Sequence, residues 1–202
     1  HGVLASRFVG HWGNDEFAKP VPFEAMEYAV RLHDNGWIHY DENACVHPKT
    51  RRPRRLHEST PTEHMDFYEE GINKVTAKNP YSGLIVSMHL TGLYQRRYGL
   101  EAGMRDISKT PGYEEPLADF IKRMENEQRN LRTKLADSEE FGTVASEEWV
   151  WTNWKFMQVF DRLSLHFCFY SPENTNTIPQ APRDYEGTEV DLTLTSVDET
   201  TV

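Results

Sequence analysis

The chain has 202 residues, 38% hydrophobic and 27% charged, which suits one globular domain with a buried core, or one domain plus a tail, rather than a disordered chain. A formal net charge of −10 argues against general nucleic-acid binding, and no apolar run approaches the roughly 20 residues that a membrane span needs. The two cysteines, Cys45 and Cys168, are far apart and form no C-x-x-C pair, so a disulfide framework is not expected and a reducing cytoplasm is the expected compartment; no signal peptide is visible in a chain that begins at His1.

Residues 1–13 read as a helix, with His1, Leu4, Ala5, Phe8 and Trp12 on one face, ended by Gly13-Asn14-Asp15. A second helix begins near Pro22, carries a stripe of Phe23, Met26, Val30, His33 and Trp37, and takes Asn35-Gly36 as its stop. Residues 38–60 lack an apolar period and read as a long loop. Within it Lys49, Arg51, Arg52, Arg54 and Arg55 gather, either as a solvated basic loop or as an anion clamp. A third helix runs from Pro61 or Thr62 to about Lys78, and a fourth from Tyr81 to Tyr98. A loop follows over 100–112. The fifth helix, Pro116 to Ala136, is charged, with Glu125 and Arg129 four residues apart. The sixth, Ser146 to Phe169, is the most apolar; Val150, Trp154, Met157, Asp161, Leu165 and Cys168 share its stripe. The tail from Ser171 contains an alternating stretch at 190–194 that fits a strand. The expectation is a mainly helical domain over 1–170, with a small hairpin or loose tail over 171–202.

Three helices each bring one histidine to an apolar face and a fourth brings an aspartate. His33-Asp34 is an adjacent imidazole and carboxylate at a helix end, a pair that suits zinc, iron or manganese. Asp161 lies on the stripe of the most apolar helix, where an uncompensated charge is costly. Its neighbour Arg162 points about 100° away on a helix. His1 and His89 each fall near an apolar face. Inward side chains on facing helices are how metal sites in helical bundles are built. Each of these residues taken singly also has a plainer reading, as a hydrogen-bonded core residue. His11, His39, His47, His57 and His166 are read as structural or surface histidines, and Cys168 as inert packing. Ser164 and His166, two apart on a helix, do not face each other, so no serine triad is expected. No G-x-S-x-G, phosphate-binding glycine loop or dinucleotide fingerprint is present.

The order His1, His33-Asp34, Asp161 resembles the H…HD…D signature of the HD-domain superfamily of metal-dependent phosphohydrolases. The phrases His1-Gly2-Val3-Leu4-Ala5, His33-Asp34-Asn35-Gly36-Trp37, Val86-Ser87-Met88-His89 and Asp161-Arg162-Leu163-Ser164-Leu165 resemble more closely a prokaryotic family of unknown function related to it. In that pattern further chain precedes the first histidine. The resemblance implies an all-helical HD-like bundle over about 1–170 in which His1, His33, Asp34 and Asp161 hold one divalent ion (Fe, Mn, Zn or Mg). His89, and more weakly His64, match the extra histidines of two-metal branches.

The resemblance implies a hydrolase of phosphate esters or nucleotides. Asp34 and His89 would be its catalytic residues, and Arg51, Arg52, Arg54 and Arg55 would bind a small phosphorylated or polar metabolite. Trp37, Tyr68 and Tyr81 would shape the pocket. Two alternatives stand beside it: a dinuclear iron oxygenase on the same frame, and a non-catalytic metal-stabilised binding protein. Five tryptophans and other aromatics leave room for a homodimer face.

Overall fold

A computed structural model describes residues 1–43, 46–54, 58–97, 110–171 and 174–197. The described residues form seven helices and one two-stranded antiparallel hairpin. They fall into two compact units, residues 1–32 with 132–202 and residues 33–131. No helix among the described residues is long and apolar enough to cross a membrane.

The first unit is built on α1 (Gly2–His11), α2 (Phe23–Leu32) and α7 (Glu147–Phe169), with β1 (Asn176–Pro182) and β2 (Glu189–Leu194). Ser146 caps α7 by accepting from the Trp149 amide. Trp154, Phe156 and Phe160 of α7 are fully buried, and Trp12 meets the last two edge-on at 6.2 and 5.4 Å. The inner face of α1 is Ala5, Ser6 and Val9, and that of α2 is Ala25, Met26, Ala29 and Val30. Phe23, expected on the apolar stripe, is exposed instead, at the first position of α2. The hairpin pairs Ile178 with Leu192 and Ala181 with Val190, with a register shift between. Buried Ile178 and Ala181 belong to β1, which packs on α7, and the Trp149 and Tyr185 rings stack at 4.0 Å. The Tyr185 hydroxyl donates to Asn153 Oδ1 at 2.7 Å, and Asn153 Nδ2 donates to the Val21 carbonyl at 2.6 Å. Cys168 is exposed, not packed, as are Phe167 and Phe169 beside it in the last turn of α7.

The second unit contains α3 (Trp37–Glu42), α4 (Pro61–Lys78), α5 (Pro80–Gln95) and most of α6 (Glu114–Ala136). The long loop expected over 38–60 is therefore partly helix. A bridge between Val46 and Pro53 then tightens the basic stretch into a turn. Thr60 and Glu63 form a reciprocal capping box at the start of α4, with Pro61 in the first turn. Asn79 caps α5 by accepting from Ser82, and Arg96 closes it in the left-handed region. Twelve of the 16 residues of α5 are buried, so it is a core helix with no polar face. Polar bonds attach α6: Arg123 makes a two-pronged bond to Glu69 at 2.6 and 2.8 Å, and Gln128 donates to Ser87. Glu125 accepts from Gln95 and Arg97 of this unit.

Candidate metal centre

The chain leaves α2 at Leu32 and makes a tight turn over 33–36 before α3. His33 and Asp34 occupy that turn. Gly36 is not the left-handed helix stop that the sequence suggests; its backbone is right-handed, φ −60° and ψ −26°. What requires glycine is proximity. A Cβ at Gly36 would lie 1.9 Å from the Phe67 carbonyl oxygen, and one at Gly71 would lie 2.4 Å from Asn35 Oδ1 and 2.8 Å from the Gly36 amide nitrogen. Helix α4 thus presses its backbone directly against the turn.

That approach sets the geometry around Asp34. Tyr68, one turn before Gly71, donates its hydroxyl to Asp34 Oδ1 at 2.8 Å. The other oxygen, Oδ2, lies 3.7 Å from His33 Nε2. His89 comes from the third turn of α5, and its ring meets that of His33 edge-on at 5.0 Å between centroids. His33 and His89 are 1% and 2% exposed, whereas the Asp34 side chain is 30% exposed. The group is therefore shielded on its imidazole side and exposed to solvent at the carboxylate.

Each of His33, Asp34 and His89 offers a ligand atom, and these atoms lie within 4.8 Å of one another. In a tetrahedral site with bonds of about 2.1 Å, nitrogen and oxygen ligands stand about 3.4 Å apart. Closing the set on one ion would draw the atoms together by as much as about 1.4 Å. Two imidazoles and one carboxylate are a donor set for zinc, iron or manganese. These buried His/Asp residues could hold a metal.

In the first unit, His1 Nε2 lies 3.2 Å from Asp161 Oδ1. The burial expected for Asp161 on the α7 stripe holds, and His1 stands at the N-cap of α1. Ser164 donates to the Asp161 carbonyl oxygen, one turn earlier on the helix, so its hydroxyl serves the backbone.

His64 sits in a different environment. Its Nδ1 is 2.7 Å from the Tyr94 hydroxyl, and its ring packs on Tyr68 and Trp37. Burial lowers its pKa to about 4, against the opposing pull of the Asp34 charge, so it is neutral near pH 7. Burial also raises the Tyr68 phenol, helped by the adjacent Asp34 charge, while a hydrogen bond from Trp37 pulls the other way. Tyr68 is therefore a neutral donor throughout the physiological range. Tyr81 is fully buried in α5.

The cationic stretch divides. Arg54 forks onto Glu63 at 3.0 and 2.9 Å and donates to the Glu58 carbonyl at 2.7 Å. Its guanidinium, with the Thr60 amide, lowers the Glu63 pKa to about 2. Arg54 thereby staples the turn to the start of α4. Lys49, Arg51 and Arg52 are exposed on the turn, while Arg55 and His57 lie outside the described residues, as does Cys45. The sequence reading treated Tyr68 only as a pocket aromatic and missed its bond to Asp34. The available signal was Gly71, three residues on and on the same helical face, marking a close backbone approach.

No curated protein and no solved structure matches this chain. One family does, over residues 1–202, described as a protein of unknown function. The phrases around His33, His89 and Asp161 lie inside that match, and the chain belongs to the DUF3891 family.

Proposed function

We propose that the protein is a metal-dependent hydrolase of phosphate esters or nucleotides, with its metal held at His33, Asp34 and His89. The observation that supports this most is the grouping of those three ligand atoms within 4.8 Å, buried on the imidazole side and open on the carboxylate side. The H…HD…D order of the sequence, which names His1 and Asp161 as ligands as well, supports the reaction class. A bound divalent ion would acidify water and polarise a phosphoryl oxygen.

The chain's own residues would do the rest. His33 and His89, shielded from solvent, keep the inner side of the site dry. Asp34 sits at the more exposed edge, where a ligating carboxylate would help orient the attacking water. Arg51 and Arg52, exposed on the turn after α3, offer planar forks for a phosphate. Arg54 is left in its structural bond with Glu63, which narrows the anion-binding candidates to the tip of the turn.

Elemental analysis of the purified protein, followed by assay of the metal-loaded form against a broad panel of phosphate monoesters, diesters and nucleotides, tests this reading. The expected result is one transition-metal ion per chain, and turnover that a chelator stops and added metal restores. Absence of turnover across the panel, with metal bound, would overturn the hydrolase assignment. Two irons per chain with consumption of oxygen would replace it by an oxygenase. Metal that only raises the melting temperature would replace it by a structural role.

A further inference from the structure

We propose that Tyr68 is a positioning residue for Asp34, holding Oδ1 so that the carboxylate presents Oδ2 alone to a metal. This rests on the metal reading above and adds to it which oxygen binds and what holds the carboxylate.

A free aspartate rotates about χ2 and can offer an ion one oxygen or two. Here the rotation is restricted. The Tyr68 hydroxyl donates to Oδ1 at 2.8 Å, and Oδ2 is the oxygen that faces His33 Nε2, at 3.7 Å. A phenol that already donates to Oδ1 competes with any ion for that oxygen, so single-atom ligation through Oδ2 is favoured. The phenol itself has little freedom. Tyr68 is buried, on a helix whose backbone is locked against the turn at Gly36 and Gly71, and the Trp37 ring stands edge-on beside it at 6.1 Å. A partner that fixes a ligating carboxylate in this way is commonly worth 10–100-fold in metal affinity.

This arrangement gives the His-Asp-x-Gly-Trp phrase a physical meaning. Asp34 supplies the ligand atom, Gly36 admits α4, and Trp37 backs the tyrosine that α4 delivers. The three positions act on one carboxylate, through a residue 34 positions away in the chain.

The test compares the full-length wild-type chain with Tyr68→Phe and Tyr94→Phe. Zinc affinity is measured by competition with a chromophoric chelator, and cobalt(II) binding by its visible absorption. Tyr94→Phe removes an equally placed buried hydroxyl that bonds His64 instead. Tyr68→Phe is expected to weaken zinc binding by about 10–100-fold and to alter the cobalt band, while Tyr94→Phe changes neither. Unchanged affinity and an unchanged band in Tyr68→Phe would overturn the positioning role, even if its melting temperature falls. A wild-type chain that takes up neither ion would overturn the metal reading itself, and this inference with it. If Tyr68→Phe does not fold, the wild-type protein answers alone. Zinc is expected to perturb its tyrosine ultraviolet absorption, because the bonded carboxylate gains a cation, and no perturbation on saturation would overturn the proposal.

Discussion

The second unit holds two kinds of buried histidine, and they differ in their neighbours. His64 faces a phenol and two aromatic rings, with Nδ1 in a 2.7 Å bond to Tyr94. His33 and His89 face each other and a carboxylate. All three are nearly inaccessible. Burial therefore does not separate a ligand from a core residue. The separating features are a carboxylate within reach and a second nitrogen donor beside it, because a dication needs negative charge and several lone pairs together. A single tyrosine offers a histidine one hydrogen bond and no charge.

The widest gap between the two groups is expected in metal uptake. His89→Ala should abolish stoichiometric zinc binding, a loss of at least about 100-fold, whereas His64→Gln should leave stoichiometry and affinity unchanged. Equilibrium dialysis with elemental analysis measures both. Loss of metal in His64→Gln, with retention in His89→Ala, would invert the comparison and move the candidate site onto α4.

A second test acts on the backbone that brings α4 to the turn. At Gly36 an added methyl meets the Phe67 carbonyl at 1.9 Å, and at Gly10 of α1 it meets nothing within 4 Å. Carbonyls in a capped helix cannot swing aside as a flexible side chain can. Gly36→Ala should cost about 3–4 kcal/mol and separate Tyr68 from Asp34. Gly10→Ala, in the last turn of α1 with open space around it, should stabilise by about 0.4–1 kcal/mol, chiefly by restricting the unfolded chain. Thermal and urea melts of the two variants check the sign of each.

The helices were legible because their signals are local. Pro61 and Ser146 stand at the starts of α4 and α7 where the sequence places them, and α5 begins at Pro80, one residue before the expected Tyr81. The α7 stripe exposed Asp161 as an anomaly in the same way. The short α3 was not legible, since six residues are less than two turns and the prolines beyond them argue for a loop. The bond between Tyr68 and Asp34 has no local signature at all, because it depends on how α4 lies against the turn. Gly36 shows the same limit: the residue reads as a helix stop from its neighbours, and its need for a bare Cα comes from a carbonyl 31 positions away. The role of Arg54 was hidden for a similar reason. A basic cluster looks alike whether each fork meets solvent or, as here, the carboxylate of Glu63.

The smallest of the expected effects is a pH dependence that singles out His64. Its pKa is lowered to about 4 by burial, below the ordinary value of 6.5 that the unfolded chain restores. Between those values the unfolded state binds the proton and the folded state does not, so stability rises with pH through that window. The contribution is fully present above pH 6.5 and is lost as pH falls toward 4, below which both states are protonated. Between pH 7 and pH 5 the loss is about 2 kcal/mol for a group this well buried. His64→Gln removes the titration while keeping a side chain able to bond the Tyr94 hydroxyl, so the difference in melting temperature between wild type and variant should shift by several degrees across pH 7 to 5. The carboxylates common to both proteins cancel in that difference. A difference that stays flat over the window would mean that His64 accepts its proton while folded, and that the phenol-lined side of the unit is wetter than its packing implies.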